Sequence, residues 1–144
     1  MRPRYNRFST GQVVIWVMIY PAMPDTFQIS VVDDDESIRE SLGGLLKTLG
    51  YGVEIHPSAE DFLDSDSLSK TDCLILDISM PGMGGLELQR VLMSRGMQIP
   101  IIFITSRADE DVVARVIANG AVACLLKPFT EDSLLEAINR SISE

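Results

Sequence analysis

Acidic, hydroxyl and basic side chains stand directly after the apolar runs of this sequence, where they could act together. Three consecutive aspartates, Asp33–Asp35, follow the first run, and Asp77 follows the third. The last two runs end in Thr105 and Lys127. Carboxylates that meet at one site repel each other unless a hard divalent cation lies between them, and Mg²⁺ prefers oxygen ligands of this kind. The residue types therefore indicate a magnesium site.

A carboxylate in such a site could accept a phosphoryl group. Aspartyl phosphates form when a carboxylate oxygen acts as the nucleophile. The metal and the ammonium group of Lys127 would neutralise charge on the transferring group, and a hydroxyl such as that of Thr105 would donate a hydrogen bond to one of its oxygens. This chemistry requires a fold that brings the ends of these runs together.

Short apolar strands and amphipathic helices alternate strictly from residue 28 onward. The predicted strands are Gln28–Val32, Val53–His56, Cys73–Leu76, Ile99–Ile104 and Ala121–Leu126. Apolar residues at helical spacing follow each strand and predict helices over 38–49, 58–65, 86–95, 112–117 and 134–142, with Ser58 and Thr130 as N-caps. This alternation predicts an α/β fold, a parallel sheet with helices on both faces. Functional side chains gather outside the carboxyl ends of the strands in such sheets.

The length and charge of the chain narrow its class. At 144 residues it is most simply one domain with a real core. Residues 1–24 carry three arginines and no acid, which gives +3 and leaves −12 of the net charge of −9 on residues 25–144. The strong negative charge of residues 25–144 argues against direct binding to nucleic acid. No apolar run approaches the roughly 20 residues of a membrane span, and we expect a cytoplasmic protein.

Residues 1–26 are predicted to be an extension ahead of a domain at residues 27–144. Their basic start and the apolar run at 13–20 loosely imitate a signal peptide, but the Ala-Met-Pro that follows at 22–24 is no clean cleavage site. Two interpretations stay open. The extension could come from an upstream start codon, with Met23 as the natural beginning, or it could be a short extra strand or an arm that binds a partner.

Four motifs of this sequence together resemble the receiver domain of two-component response regulators. They are VVDDD at 31–35, DISMPGMGGLEL at 77–88, FITS at 103–106 and KPF at 127–129, and their order and spacing agree over about residues 27–143. Each motif alone is weak, but all four in register with five strand–helix units are specific. The resemblance implies a flavodoxin-like (βα)5 fold, a doubly wound parallel sheet with strand order 2-1-3-4-5.

The resemblance also assigns roles to single residues. Asp77 would be the phosphoacceptor. Asp34 would bind Mg²⁺ directly, and Asp33 would do so directly or through water. Asp77 and the backbone carbonyl of Ser79 would complete the protein ligands of the metal.

Further roles follow for the later motifs. Thr105 would engage the phosphoryl group and shift inward on modification, and Lys127 would pair with the phosphorylated carboxylate. The family has a cis peptide before the proline that matches Pro128, a form that proline tolerates at little cost. Asp35 is left over and would be either solvated or the cap of the first helix.

One position departs from the family. Receivers commonly carry Tyr or Phe three residues before the lysine, as a rotamer switch coupled to the threonine, whereas this chain has Cys124. A thiol side chain is too small to exchange a comparable surface between exposed and buried states. We therefore expect the usual route of signal transmission to be abolished or rerouted. Arg107 and Ser79 would overhang the site, at positions that tune phosphoryl lifetime.

Other interpretations fit less well. An EF-hand loop starting at Asp33 would place Ile38 where glycine is needed and Gly44 where glutamate is needed. A phosphatase of the haloacid dehalogenase type could use Asp33 and Asp35, but it would leave Asp77 unexplained. The two cysteines would lie two strands apart, ~9–10 Å, which is too far for a disulfide.

We therefore predict a single-domain receiver that takes a phosphoryl group from a histidine kinase or phosphotransfer protein onto Asp77 and loses it by hydrolysis. It would be no dedicated enzyme, but it would catalyse its own magnesium-dependent phosphorylation and dephosphorylation. Output would pass to a separate effector protein through the face of the fourth helix, fifth strand and fifth helix, which could also support a homodimer. The alternative is a receiver-like interaction module that does not switch, and Cys124 favours it.

Overall fold

Strands and helices alternate throughout the residues that the computed structural model describes, 26–107 and 109–143. The elements are β1 Gln28–Val32, α1 Glu36–Thr48, β2 Gly52–His56, α2 Ala59–Leu63, a 3-10 helix Asp66–Ser69, β3 Cys73–Asp77, α3 Gly85–Ser94, β4 Ile101–Thr105, α4 Glu110–Ala118, β5 Ala123–Leu126 and α5 Glu131–Ser143. The strands form one parallel sheet in the order β2-β1-β3-β4-β5. The predicted fold class is confirmed. The predicted extension lies outside the described residues, apart from residue 26.

The central strands bury side chains on both faces of the sheet. Every residue of β3 and β4 is buried, and successive side chains point to opposite faces. Helices α1 and α5 pack on one face, around Leu46 and Ile138. Helices α2, α3 and α4 pack on the other, around Phe62, Leu88 and Val116. Each such buried side chain stabilises the fold by about 1.5–3 kcal/mol, so hydrophobic burial fixes the sheet between its helices.

Two strands begin later than their apolar runs predict. Strand β4 begins at Ile101 rather than Ile99, because the intervening Pro100 has no N–H group to offer a neighbouring strand. Strand β5 begins at Ala123 rather than Ala121, since the N–H of Ala121 instead donates to a carbonyl in the last turns of α4. In both cases a local backbone requirement outweighs the apolar pattern.

The predicted cap residues stand at the starts of three helices. The carboxylate of Asp35 accepts an N–H two residues on at 2.9 Å and caps α1. The hydroxyl of Ser58 accepts one three residues on at 3.1 Å, and that of Thr130 does the same at 3.0 Å. Caps of this kind stabilise a helix by about 1 kcal/mol. Asp35 fills both of the roles expected for it, because it is exposed and also caps α1.

Two smaller predictions, the cis peptide and the separation of the two cysteines, match the structure. The Lys127–Pro128 peptide bond is cis. Cys73 and Cys124 lie on β3 and β5 with β4 between them. His56, at the end of β2, is buried against the ring of Phe62 at a centroid distance of 5.4 Å, and burial lowers its pKa. Within the described ranges, no helix has the length and apolar character that crossing a membrane requires.

Candidate phosphoacceptor and metal site

Neighbouring strands bring three carboxylates together at the carboxyl edge of the sheet. Asp33 directly follows β1, and Asp77 is the last residue of β3, which pairs with β1. One carboxylate oxygen from each of Asp33, Asp34 and Asp77 lies within 4.8 Å of the others. Asp33 and Asp77 are buried, whereas Asp34 is exposed. The cluster is therefore held by the sheet and open to solvent at Asp34.

Lys127 joins two of these acids from the end of β5. Its ammonium Nζ donates to Oδ2 of Asp33 at 2.8 Å and lies 3.7 Å from Oδ1 of Asp77. The other oxygen of Asp33 accepts the backbone N–H of Asp35 at 2.9 Å. Both carboxylate oxygens of Asp33 therefore have a hydrogen-bond donor within the protein. The Lys127 ammonium lies farther from Asp77, at more than hydrogen-bond distance.

The charges in the cluster perturb its titration. Burial, together with the charge of Asp33, raises the pKa of the Asp77 carboxyl to about 6, against the opposing effects of Lys127 and the backbone N–H of Ser79. Burial would lower the pKa of Lys127, but its hydrogen bond to Asp33 and the charge of Asp77 outweigh burial and raise it. The site thus places three acidic side chains around one ammonium group, so its acidic groups outnumber its basic one.

This donor set fits Mg²⁺. Hard divalent cations bind clustered carboxylate oxygens, and Asp33, Asp34 and Asp77 supply them within one small volume. Burial is the main reason for the raised pKa of Asp77, and repulsion from the charge of Asp33 adds to it. A cation at this cluster would remove that repulsion.

Thr105 ends β4 beside the cluster, with its hydroxyl turned into the loop that follows. The hydroxyl donates to the backbone oxygen of Arg107 at 2.9 Å and accepts the N–H of Arg107 at 3.1 Å. The N–H of Lys127 donates to the carbonyl of Thr105 at 2.7 Å. The predicted phosphoryl-binding threonine is therefore placed at the site, in a conformation tied to Arg107.

Ser79 lies two residues beyond Asp77 in the loop 78–84, which we call the acceptor loop. Its backbone N–H interacts with the Asp77 carboxylate. The loop returns tightly, because the N–H of Gly85 donates to the carbonyl of Ile78 at 2.9 Å. A side chain at Gly85 would meet the backbone oxygen of Asp77 at 2.5 Å, so only glycine fits. The role of the Ser79 carbonyl as a metal ligand stays a prediction.

Sequence reasoning missed two residues that support the site. Gly85 is part of the motif at 77–88, but its type and position alone do not indicate its contact with Asp77. Arg39, on α1, donates from Nη1 to the backbone oxygen of Asp33 at 2.8 Å. The residue type of Arg39 carries no signal of this role in sequence, although its position one turn after the start of α1 places it near the carboxyl edge.

Cys124 occupies the middle of β5, opposite Phe103 of β4. Its side chain is half-buried and packs against the part of the core that lies between the sheet and helices α2, α3 and α4. Burial raises the pKa of the thiol, which keeps it neutral. The residue thus acts as a small apolar group where receivers commonly have an aromatic ring.

The comparison with known protein families decides between the interpretations. A family model described as the response regulator receiver domain matches residues 29–139. The chain belongs to the response regulator receiver family. All of the site residues described above lie within the matched range.

Relatives and solved structures agree with this assignment. The chain is 43% identical over 114 residues to the response regulator protein TodT of Pseudomonas putida, covering 79% of this chain and 50% of TodT. The structure of the response regulator StyR superposes with a TM-score of 0.77 at 41% identity, over 83% of this chain and 60% of StyR. The FixJ-N structure has a TM-score of 0.74 at 35% identity, over 85% and 97% respectively. The chain spans about half the length of the curated relatives that it matches.

Proposed function

We propose that this receiver, residues 27–144, takes a phosphoryl group from the phosphohistidine of a histidine kinase or phosphotransfer protein onto Asp77. The supporting observation is the cluster of Asp33, Asp34 and Asp77, with Lys127 placed between two of the three carboxylates. An Asp77 oxygen forms the new P–O bond while the P–N bond breaks, and the imidazole leaves with the electron pair and is protonated from water. Hydrolysis of the aspartyl phosphate restores the carboxylate.

The residues of the chain divide this work between them. Lys127 balances charge on Asp77 and on the incoming phosphoryl oxygens, since its raised pKa keeps it protonated. Asp33, Asp34, Asp77 and the carbonyl of Ser79 would hold Mg²⁺, which when bound neutralises charge on the phosphoryl group. The buried sheet edge excludes water from one side of Asp77, and this strengthens each of these electrostatic interactions.

The switch begins at Thr105. To donate a hydrogen bond to a phosphoryl oxygen, its hydroxyl has to leave the carbonyl of Arg107, to which it donates at 2.9 Å. That exchange would free the loop between β4 and α4 and shift a pre-existing equilibrium between two states of α4. Exposed apolar side chains on that side, Ile117 at 45% and Leu126 at 53%, offer a surface for a cytoplasmic effector protein or a second copy.

A second function has one observation in its favour. A non-switching module would keep the fold and bind its partner regardless of phosphorylation. Cys124 supports it, because the small thiol cannot exchange the surface that an aromatic switch would. Partner affinity measured with and without beryllofluoride and Mg²⁺ separates the two, since only the switch predicts a difference.

Phosphorylation itself is tested with small donors. Incubation with acetyl phosphate or phosphoramidate and Mg²⁺ should give an acid-stable, base-labile adduct of one phosphoryl group in the wild type and none in Asp77→Asn. Asp34→Asn, which changes an exposed ligand candidate, should form the same adduct only at higher Mg²⁺. An adduct of equal yield in Asp77→Asn would place the acceptor elsewhere.

A further inference from the structure

We propose that Glu60 is a positioning residue, which holds the acceptor loop in the shape that metal binding needs; this inference rests on the proposed function. Glu60 lies in the first turn of α2. Its Oε2 accepts the backbone N–H of Met83, near the far end of the loop, at 3.2 Å. The contact joins two parts of the chain that are 23 residues apart.

The loop backbone passes directly over the Glu60 carboxylate. Gly82 has φ +73°, a conformation that L side chains rarely adopt. A Cβ atom added at Gly82 would lie 2.8 Å from Oε2 of Glu60. The loop is therefore shaped to fit against this carboxylate, and Gly82 is what permits the close approach.

Glu60 completes a set of contacts at both ends of the loop. At the base, Gly85 donates to the carbonyl of Ile78 at 2.9 Å. Within the loop, the side chains of Met80 and Met83 pack against the core between the sheet and helices α2, α3 and α4. The Glu60 contact adds a polar restraint at Met83, so that the segment carrying Ser79 is held from both sides.

Helix α2 is held in place by its cap and its buried side chains, so a hydrogen bond to it can restrict the motion of the loop. Ser58 caps it, and Ala59 and Phe62, on either side of Glu60, are fully buried. A ligand group that is ordered in advance loses less conformational entropy when it binds. Since Glu60 is not part of the carboxylate cluster formed by the three aspartates, its contribution would come through the loop rather than through contact with the ion.

The experiment compares three variants with the wild type. Glu60→Ala removes the acceptor, and Glu60→Gln keeps an acceptor oxygen but removes the charge. Asp64→Ala removes an exposed carboxylate at the opposite end of the same helix. Two quantities are measured: hydrogen exchange of the Met83 amide without metal, and the dissociation constant of Mg²⁺ by calorimetric titration. Urea unfolding of each variant serves as the control that every variant is folded.

Loss of one hydrogen bond of ordinary strength corresponds to roughly a fivefold change in an equilibrium. We expect Glu60→Ala to speed Met83 exchange about fivefold and to raise the Mg²⁺ dissociation constant by about three- to fivefold. Glu60→Gln should stay within about twofold of the wild type, and Asp64→Ala should change neither quantity.

Three results would overturn the inference. They are an unchanged Mg²⁺ dissociation constant in Glu60→Ala, equal weakening in Glu60→Ala and Glu60→Gln, or the same weakening in Asp64→Ala. The last two would show a general effect of charge. If the wild type itself binds no Mg²⁺, the proposed function fails, which is distinct from a wild type and a Glu60→Ala variant that bind it equally.

Discussion

Asp33 and Asp77 are buried acids at the ends of neighbouring strands, but their hydrogen-bond partners differ and so suit them to different roles. Asp33 engages both carboxylate oxygens, one with the N–H of Asp35 and one with Lys127. Asp77 has a longer contact to Lys127, 3.7 Å, and a pKa raised to about 6. A carboxylate whose charge is incompletely satisfied is the one that gains most from a cation and remains available as a nucleophile. This difference supports Asp77 as the acceptor independently of the family pattern.

The raised pKa of Asp77 makes a prediction about stability and pH. A carboxyl that binds its proton more tightly in the folded state favours folding most below its unfolded value of 3.8, and that contribution declines as pH rises to about 6. Above that pH the ionised side chain costs about 3 kcal/mol. Asp77→Asn should therefore raise the free energy of unfolding by about 2–3 kcal/mol at pH 8, and by about half as much at pH 5.

Urea unfolding in EDTA at the two pH values measures this effect. Asp64→Asn serves as the control, because Asp64, the residue that follows α2, is exposed. A gain for Asp77→Asn that is equal at pH 5 and pH 8 would contradict the titration described here. Saturating Mg²⁺ should shrink the gain, since the ion stabilises the ionised wild type.

Lys127 supports a different prediction, because its removal leaves the fully buried Asp33 without its ammonium partner. Breaking one side of a buried charged pair is more costly than the pair was worth. In metal-free buffer at pH 7, Lys127→Met should lower the free energy of unfolding by about 2–3 kcal/mol. Lys47→Met, on α1, should change it by less than about 0.5 kcal/mol. Equal unfolding midpoints for the two variants would show that Asp33 does not depend on Lys127.

At the scale of the elements, strands and their ends could be predicted, and loop shapes could not. The ends of β1, β3, β4 and β5 follow from where apolar runs stop, which is a local property of the sequence. The contacts of Gly85 with Asp77 and of Glu60 with Met83 depend on how separate segments approach each other after folding. Residue type alone does not encode such approaches, so the carboxylate cluster was predictable and the support of the acceptor loop was not.

The acceptor loop yields a prediction of its own. In Gly85→Ala the new Cβ would meet the Asp77 carbonyl oxygen at 2.5 Å and the Ile78 Cα at 2.9 Å, and both are backbone atoms that cannot move aside cheaply. We expect a loss of about 2 kcal/mol in the free energy of unfolding and weaker Mg²⁺ binding. Gly44→Ala is the matched control. Its Cβ meets nothing within 4 Å on α1, so it should stabilise by about 0.5–1 kcal/mol. A neutral Gly85→Ala would mean that the loop is not held against β3.

At the scale of the whole molecule, the functional edge and the exposed apolar side chains lie on connected elements. Lys127 directly follows the last residue of β5, Leu126, and α4 follows the loop that holds the hydroxyl of Thr105. Helix α4 and strand β5 also expose Ile117 and Leu126. A change at Asp77 that releases Thr105 would therefore act first on the elements that present these side chains, which is why we place output there despite Cys124.

Self-association tests that placement. In analytical ultracentrifugation with beryllofluoride and Mg²⁺, we expect the wild type to shift from monomer toward dimer. Ile117→Glu should stay monomeric, because burying an unpaired carboxylate is more unfavourable than the apolar contact is favourable. Leu49→Glu is the control. Leu49 is similarly exposed, at 40% against 45% for Ile117, but it ends α1 on the other face of the sheet. Dimerisation lost in Leu49→Glu and kept in Ile117→Glu would move the interface to the α1 side and remove the link between Thr105 and output.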